Sequence, residues 1–247
     1  ECAVMANLPA IVHYASRAIG VSDERMKKEF LALTGVRFDD FMKLEYAQTF
    51  GGKYTEEIAN PAKYGLYNDV FSGYADAVID GGDKKYFSAA KRAIEGMENG
   101  EYGYLFRTAI SLNEVLALKY DVGIRLRNAY RKKDKEELKI LAETLGKIEE
   151  KIGAFIKDYR KQWLKENKPQ GLEIQEIRLG GLKERIKGCR ERLEEYLGGE
   201  SENIPELEEK LLPAAVSRMR NPGRCDLFSH EAIASVNAFD GFTEVDV

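Results

Sequence analysis

Two histidines, three cysteines and one tryptophan are all that 247 residues provide, and each shortage excludes something. Metal and triad chemistry depend on histidine, cysteine and acidic groups brought together at recognisable spacings. His13 and His230 show no such spacing, nor do Cys2, Cys189 and Cys225. No metal, no cofactor and no catalytic residue is therefore expected within the chain. An odd, sparse cysteine count builds no disulfide framework and suits a reducing, cytoplasmic compartment. Positive charge is not in excess either. Lys+Arg 38 against Asp+Glu 42 leaves a net charge of −4, which is no footprint for nucleic acid or an anionic membrane. The longest uncharged stretch, Cys2 to Ser16, falls short of the roughly 20 residues of a membrane span. Asn7, Pro9 and His13 interrupt it further. A leading Met and a basic leader region are also missing, so the chain reads as a piece of a longer polypeptide with no signal peptide.

What is present is apolar and charged residues in helical rhythm, 44% and 32% of the chain. That composition fills a core and excludes disorder. No proline occurs between positions 62 and 168, which permits long helices there. Val4 to Ile19 recur at three and four with Gly20 after them. Ser22 caps a second helix, with Met26, Phe30 and Leu33 as its stripe and Gly35 as its end. A short helix is expected from Phe38 to about Tyr46, and a linker at Thr49–Thr55 around Gly51-Gly52. Asn60-Pro61 starts a helix carrying Leu66, Tyr67, Val70, Phe71, Tyr74 and Val78, closed by Gly81-Gly82. Another covers about Lys85 to Glu98. Residues 101–132 read as one long element. Asp134 with Glu137 caps a helix through Trp163 that stops before Pro169. A last long helix runs from about Ile174 to Leu197, and Pro205 opens a short one.

Long helices joined by short capped turns pack antiparallel, so the expected fold is all-α: a bundle of long antiparallel helices. No strand–helix alternation suggests a parallel sheet. The tail from 213 to 247, with Asn221-Pro222-Gly223, reads as irregular chain.

Candidate chemistry is thin. Adjacent carboxylates such as Asp39-Asp40 and Glu149-Glu150 point about 100° apart on a helix, so neither pair converges on one atom. Gly180-Gly181 lies inside a helical pattern, where glycine costs about 1 kcal/mol relative to alanine; close approach of another helix is the expected reason. Charges from Arg131 to Lys151 read as a solvated face. Tyr64, Tyr67 and Tyr74 fall on one stripe, with core packing as the default and sugar stacking as the alternative.

Three stretches taken in order carry a resemblance. They are Leu31-Ala-Leu-Thr-Gly-Val-Arg-Phe-Asp-Asp-Phe-Met42, Asn60-Pro-Ala-Lys-Tyr-Gly-Leu-Tyr-Asn-Asp69 and Glu166-Asn-Lys-Pro-Gln-Gly-Leu-Glu-Ile-Gln-Glu-Ile-Arg-Leu-Gly-Gly-Leu182. Over about residues 1–212 the chain resembles the C-terminal part of bacterial exo-β-N-acetylhexosaminidases of glycoside hydrolase family 20. The resemblance implies that residues 1–56 are the last helices of a (β/α)8 catalytic barrel plus a linker. It implies that 57–212 are a C-terminal helical bundle domain, with 213–247 as a tail. Family chemistry is retaining and substrate-assisted, an exception to the two-carboxylate scheme. An Asp orients the acetamido group of a terminal GlcNAc or GalNAc and a neighbouring Glu is the acid/base. No His/Asn-x-Gly-x-Asp-Glu motif exists in this chain, so the implied role is accessory: to support the barrel, the cleft or a dimer. By resemblance, Glu1 matches an acidic substrate contact at the end of the last barrel strand. The implied partners are the barrel of the same polypeptide, a second copy in a homodimer, and the amino-sugar glycan. Lys168–Arg178 and Pro61–Tyr67 are the stretches expected to face the barrel. The alternative is a free-standing helical scaffold, which requires a self-sufficient core and no orphaned apolar face. A barrel piece instead requires an exposed apolar patch on residues 1–50.

Overall fold

The computed structural model describes residues 9–13, 15, 20–49, 61–73, 75, 76, 79 and 81–210. These residues form helices and turns, with no strand among them. Residues 9–13 are helical. The helices that follow are α1 (Asp23–Thr34), α2 (Phe38–Phe41), α3 (Pro61–Tyr67), α4 (Lys84–Ile94) and α5 (Gly103–Lys119). Then come α6 (Val122–Lys132), α7 (Lys135–Glu166), α8 (Leu172–Gly198) and α9 (Pro205–Glu208). Tight 3₁₀ turns at Met42–Ala47 and Gly81–Asp83 complete the order.

The expected caps of α1 and α7 are in place. Ser22 accepts from the Arg25 N–H at the start of α1, and Gly35 closes it at φ 70°. Asp134 accepts from the Glu137 N–H and opens α7, which at 32 residues is the longest helix. A rise of 1.5 Å per residue makes it about 48 Å long. Leu138, Leu141, Ala142, Leu145, Ile148, Ile152 and Phe155 line its buried stripe. Leu172, Leu179, Leu182, Ile186, Cys189 and Leu193 answer from α8. Ion pairs Arg160–Glu176 and Arg190–Glu149 set the two antiparallel. On the other side of α7, Tyr104 meets Glu166 and Lys151 meets Glu114, so α5 is antiparallel to it as well. The all-α bundle is the fold.

Two helices are shorter than periodicity suggests. The stretch opened by Pro61 leaves the helix after Tyr67, although Val70 and Phe71 continue the apolar rhythm. Asn68 and Asp69 cause the exit. Asp69 Oδ1 accepts from the N–H groups of Phe71 and Ser72, and Asn68 Oδ1 from that of Ala75. Short polar side chains here replace the helical ladder with turn hydrogen bonds. Tyr74, Val78 and Asn60 lie outside the described residues. The 101–132 element is two helices, α5 and α6, bent at Tyr120-Asp121. The Tyr120 ring packs 4.8 Å from that of Phe87, and Asp121 turns to Lys84 at 2.5 Å. Gly65 makes the seat for Tyr120, because a Cβ there would stand 2.4 Å from its ring.

A second, smaller cluster joins α1 and α2 to α4 and α5. Phe30, Phe41, Ile94, Leu105 and Phe106 are buried in it. Phe30 meets Phe41 and Phe38 edge to face at 5.1 and 5.5 Å, and Phe41 meets Phe106 at 6.4 Å. Leu33, expected inward, is 66% exposed instead; with Phe30 turned into the cluster, its side chain finds no cover among the described residues.

Candidate functional site

Among the described residues the chemically densest place is a largely buried charged cluster. Exit of the chain from α3 delivers Asn68, Asp69 and Asp76; the end of α5 delivers Lys119; α6 delivers Arg127 and α8 Arg185. Asp69 Oδ2 accepts from Arg185 Nε at 2.6 Å and its Oδ1 from Arg185 Nη2 at 3.1 Å. With the two N–H groups of Phe71 and Ser72, that fills the carboxylate. Burial alone would raise Asp69, but Arg185 and these N–H groups outweigh it and hold the carboxyl below its ordinary range. Asp76 shifts the other way, raised by burial that Asn68, Arg127 and Lys119 only partly offset.

Lys119 is 2% exposed. Its ammonium donates to the Gly65 and Asn68 carbonyls, at 3.0 and 2.5 Å. Burial depresses it from 10.5 to about 8, against the pull of Asp69 and Asp76. Arg127 donates to the Phe71 carbonyl and to the carbonyls of Glu206, Leu207 and Glu209 at 3.3 Å. It thereby straps the α9 segment onto the bundle. Tyr130 adds to the strap, accepting from the Ile204 N–H at 3.0 Å and donating to Glu208 at 2.9 Å. Arg192 completes it with a fork onto Glu206.

This constellation has charge but no room. The cavity beside it, lined by Tyr67, Asp69, Gly181 and Arg185 among others, holds about 20 Å³. That accommodates one water, whereas small-molecule sites run to about 300 Å³ and upward. A sugar cannot reach these carboxylates; the acceptor positions of Asp69 are taken by the fold, while Asp76 accepts from Asn68 through Oδ1 and keeps Oδ2 buried without a hydrogen-bond partner. The cluster is architectural: it binds an irregular loop and a terminal strap to the bundle.

The residues singled out from sequence fall elsewhere. Glu1, Cys2, Cys225, His230 and the 213–247 tail lie outside the described residues, as do Gly51-Gly52. His13 Nε2 meets Glu29 at 2.6 Å. Asp39 pairs with Lys27 and Asp40 with Lys43, at 2.6 and 2.7 Å. Glu149 pairs with Arg190. Cys189 is fully buried, and burial pushes its thiol up to about 12, which leaves it unreactive. Tyr64 is core. Gly180-Gly181 is a correction: a Cβ at either position would meet nothing within 4 Å, so no neighbour approaches closely there. Its helix instead leaves that side open. Of the two stretches expected to face a barrel, Pro61–Tyr67 is largely buried within the bundle, while Lys168–Arg178 is mixed: exposed at 168–170, Glu173 and Ile177, buried at Leu172 and half-buried elsewhere. Among the described residues no group of three or more His, Cys, Asp or Glu is arranged to hold a metal. Nor, among them, is any helix long and apolar enough to cross a membrane.

Sequence reasoning missed the ionic cluster, yet a signal existed. Lys119 falls in phase with Val115, Val122 and Leu126, and Arg185 with Leu182 and Cys189. A charge inside an apolar stripe announces a buried pair.

By class the described residues form an all-α helical domain whose buried charges bind its own segments together. Residues 39–226, about three quarters of the chain, match the family described as Glycoside Hydrolase 20C C-terminal domain, and the chain belongs to that family. No curated protein gives a significant match.

Proposed function

We propose that this chain is the C-terminal helical support of a β-N-acetylhexosaminidase, an enzyme that removes terminal β-linked GlcNAc or GalNAc by retaining, substrate-assisted hydrolysis. In this reading the chain supplies no catalytic group. Residues 1–56 complete the barrel and lead out of it, 57–212 form the supporting bundle, and Glu1 sits beside the sugar hydroxyls. Family membership implies a catalytic domain in the same polypeptide.

The observation that carries the reading is the placement of orphaned apolar surface. Among the described residues seven large apolar side chains stand exposed, and four of them, Ile11, Val12, Leu31 and Leu33, lie within the first 34 positions. Single exposed apolar residues need no explanation, but a concentration of them marks a contact surface. A free-standing scaffold would leave no such face, so the concentration weighs against that alternative. The bundle behind it has a continuous core of its own.

The test is hydrolysis of a chromogenic N-acetyl-β-glucosaminide by residues 1–247 and by the polypeptide extended upstream. Activity confined to the extended form is expected. Activity in residues 1–247 alone overturns the accessory role, and activity in neither overturns the hexosaminidase assignment.

A further inference from the structure

We propose that Arg127 is the shared arm of a proton-gated latch: it holds the strap at residues 204–209 while Asp76 is protonated, and turns to Asp76 once that carboxyl ionises. Two buried atoms of the charged cluster are complementary and unjoined. Asp76 Oδ2 accepts no hydrogen bond and Arg127 Nε donates none. A buried donor or acceptor left unpaired is costly, and more so when it is charged.

The two groups are within reach of each other across α6. Gly123 and Arg127 stand one turn apart on the same face, and a helical side chain leans back over the turn before it. Asp76 lies over that turn: a Cβ on Gly123 would stand 3.2 Å from its Oδ1 and 3.4 Å from its Oδ2. Glycine there is what admits the carboxylate. Burial dominates the surroundings of both groups, and beyond it each is the strongest charge that the other feels. Asn68 already occupies Oδ1 at 2.7 Å, so Oδ2 is the atom left to receive the guanidinium.

Arg127 holds the strap loosely. A single nitrogen, Nη1, is divided among the carbonyls of Glu206, Leu207 and Glu209, each at 3.3 Å. Long shared bonds to carbonyls are weaker than a charge-assisted pair with a carboxylate. Against the swing stand Ile204 and Leu207, both 1% exposed, which keep the strap seated. The charge on Asp76 tips this balance. With Arg127 on the strap, burial raises Asp76, so the seated form binds the proton more tightly. Acid therefore locks the strap, and rising pH loosens it.

The remaining charges around the pair do not compete. Asp69, on the same loop, is filled by Arg185 of α8 and by two N–H groups. Lys119 of α5 titrates higher, at about 8. Arg131 of α6 stays charged throughout. Asp121, at the head of α6, is engaged by Lys84. Glu209 also acts on Arg127 but moves with the strap.

Hydrogen exchange of the full chain, read peptide by peptide and corrected for the intrinsic effect of pH, tests the latch. Protection of 204–209 is divided by that of 141–152 in α7, which removes changes in whole-domain stability. Between about pH 4 and 7, above the ordinary carboxylate value, the wild-type ratio should fall about ten-fold. That is the scale of one hydrogen bond to a charged group. Asp76→Asn, which keeps the shape and cannot ionise, should hold the ratio level at its acid value. Arg127→Gln, which removes the arm, should hold it level at a lower value. Either variant suffices if the other does not fold. A flat ratio in the wild type overturns the latch. So does a fall that persists in either variant, since it then belongs to the strap's own glutamates.

Discussion

The two ends of the bundle are held by different physics. At the end formed by α3, α6 and α9, charge is buried: Asp69 with Arg185, Lys119 on carbonyls, Arg127 on the strap. At the end formed by α1, α2 and the start of α5, phenylalanine rings meet edge to face. Edge-to-face pairs are worth about 0.5–1.5 kcal/mol beyond the area they bury, and they tolerate small shifts. Buried ion pairs tolerate none, since removing one partner strands the other. The charged end is largely buried, though Asp76 Oδ2 and Arg127 Nε have no hydrogen-bond partner there. The aromatic end stands beside the exposed Leu31 and Leu33 of α1, the face on which the proposed barrel contact rests.

The sharpest way to break this contrast is Asp69→Asn, which keeps the shape and removes the charge facing Arg185. Arg185 keeps Glu206 at 3.7 Å and is partly exposed, so the loss should be about 1–3 kcal/mol, read as a lower urea midpoint. A loss under about 1 kcal/mol would mean that the charged end is no more rigid than the aromatic one.

A second test separates the ends by pH. Lys119 titrates at about 8 in the fold, against an ordinary 10.5, because of burial. Between those values the unfolded chain holds a proton that the folded one has released, so this group adds stability as pH rises through that window. The stability of the wild type minus that of Lys119→Met should climb across it, by no more than the about 1.4 kcal/mol per pH unit that one proton allows. A flat difference removes the shift. Tyr67 and Cys189, both raised to about 12 by burial, titrate in both proteins and drop out.

The smallest effect belongs to the open face. Leu33→Glu should change stability by less than about 0.5 kcal/mol while lowering self-association of residues 1–247 in sedimentation. Unchanged association would show that the α1 face is not sticky and needs no cover.

Much of this architecture was legible because helix signals are local. The α1 and α7 caps, the buried stripes of α7 and α8, and the stop before Pro169 are where residues spaced three and four apart put them. The bends were not legible. Apolar rhythm runs through both Asn68-Asp69 and Tyr120-Asp121. At the first, the local bonds of Asn68 and Asp69 to nearby N–H groups end the helix against that rhythm; at the second, the cause is a ring seated on Gly65, far away in sequence. The same limit hid the ionic cluster, whose members come from four segments. It also misplaced Leu33, since a helical stripe says which face is apolar but not whether anything covers it.

The separation between Asp69 and Arg185 is 116 residues, and between Arg127 and the strap about 80. Contacts so distant pay for loop closure before they return anything. The α7–α8 hairpin, built from neighbours, has to stand before Arg185 can find Asp69. Charge therefore enters the interior late, as the step that commits an already collapsed chain to one arrangement. Variants of the pair should accordingly make themselves felt when the domain opens rather than when it forms.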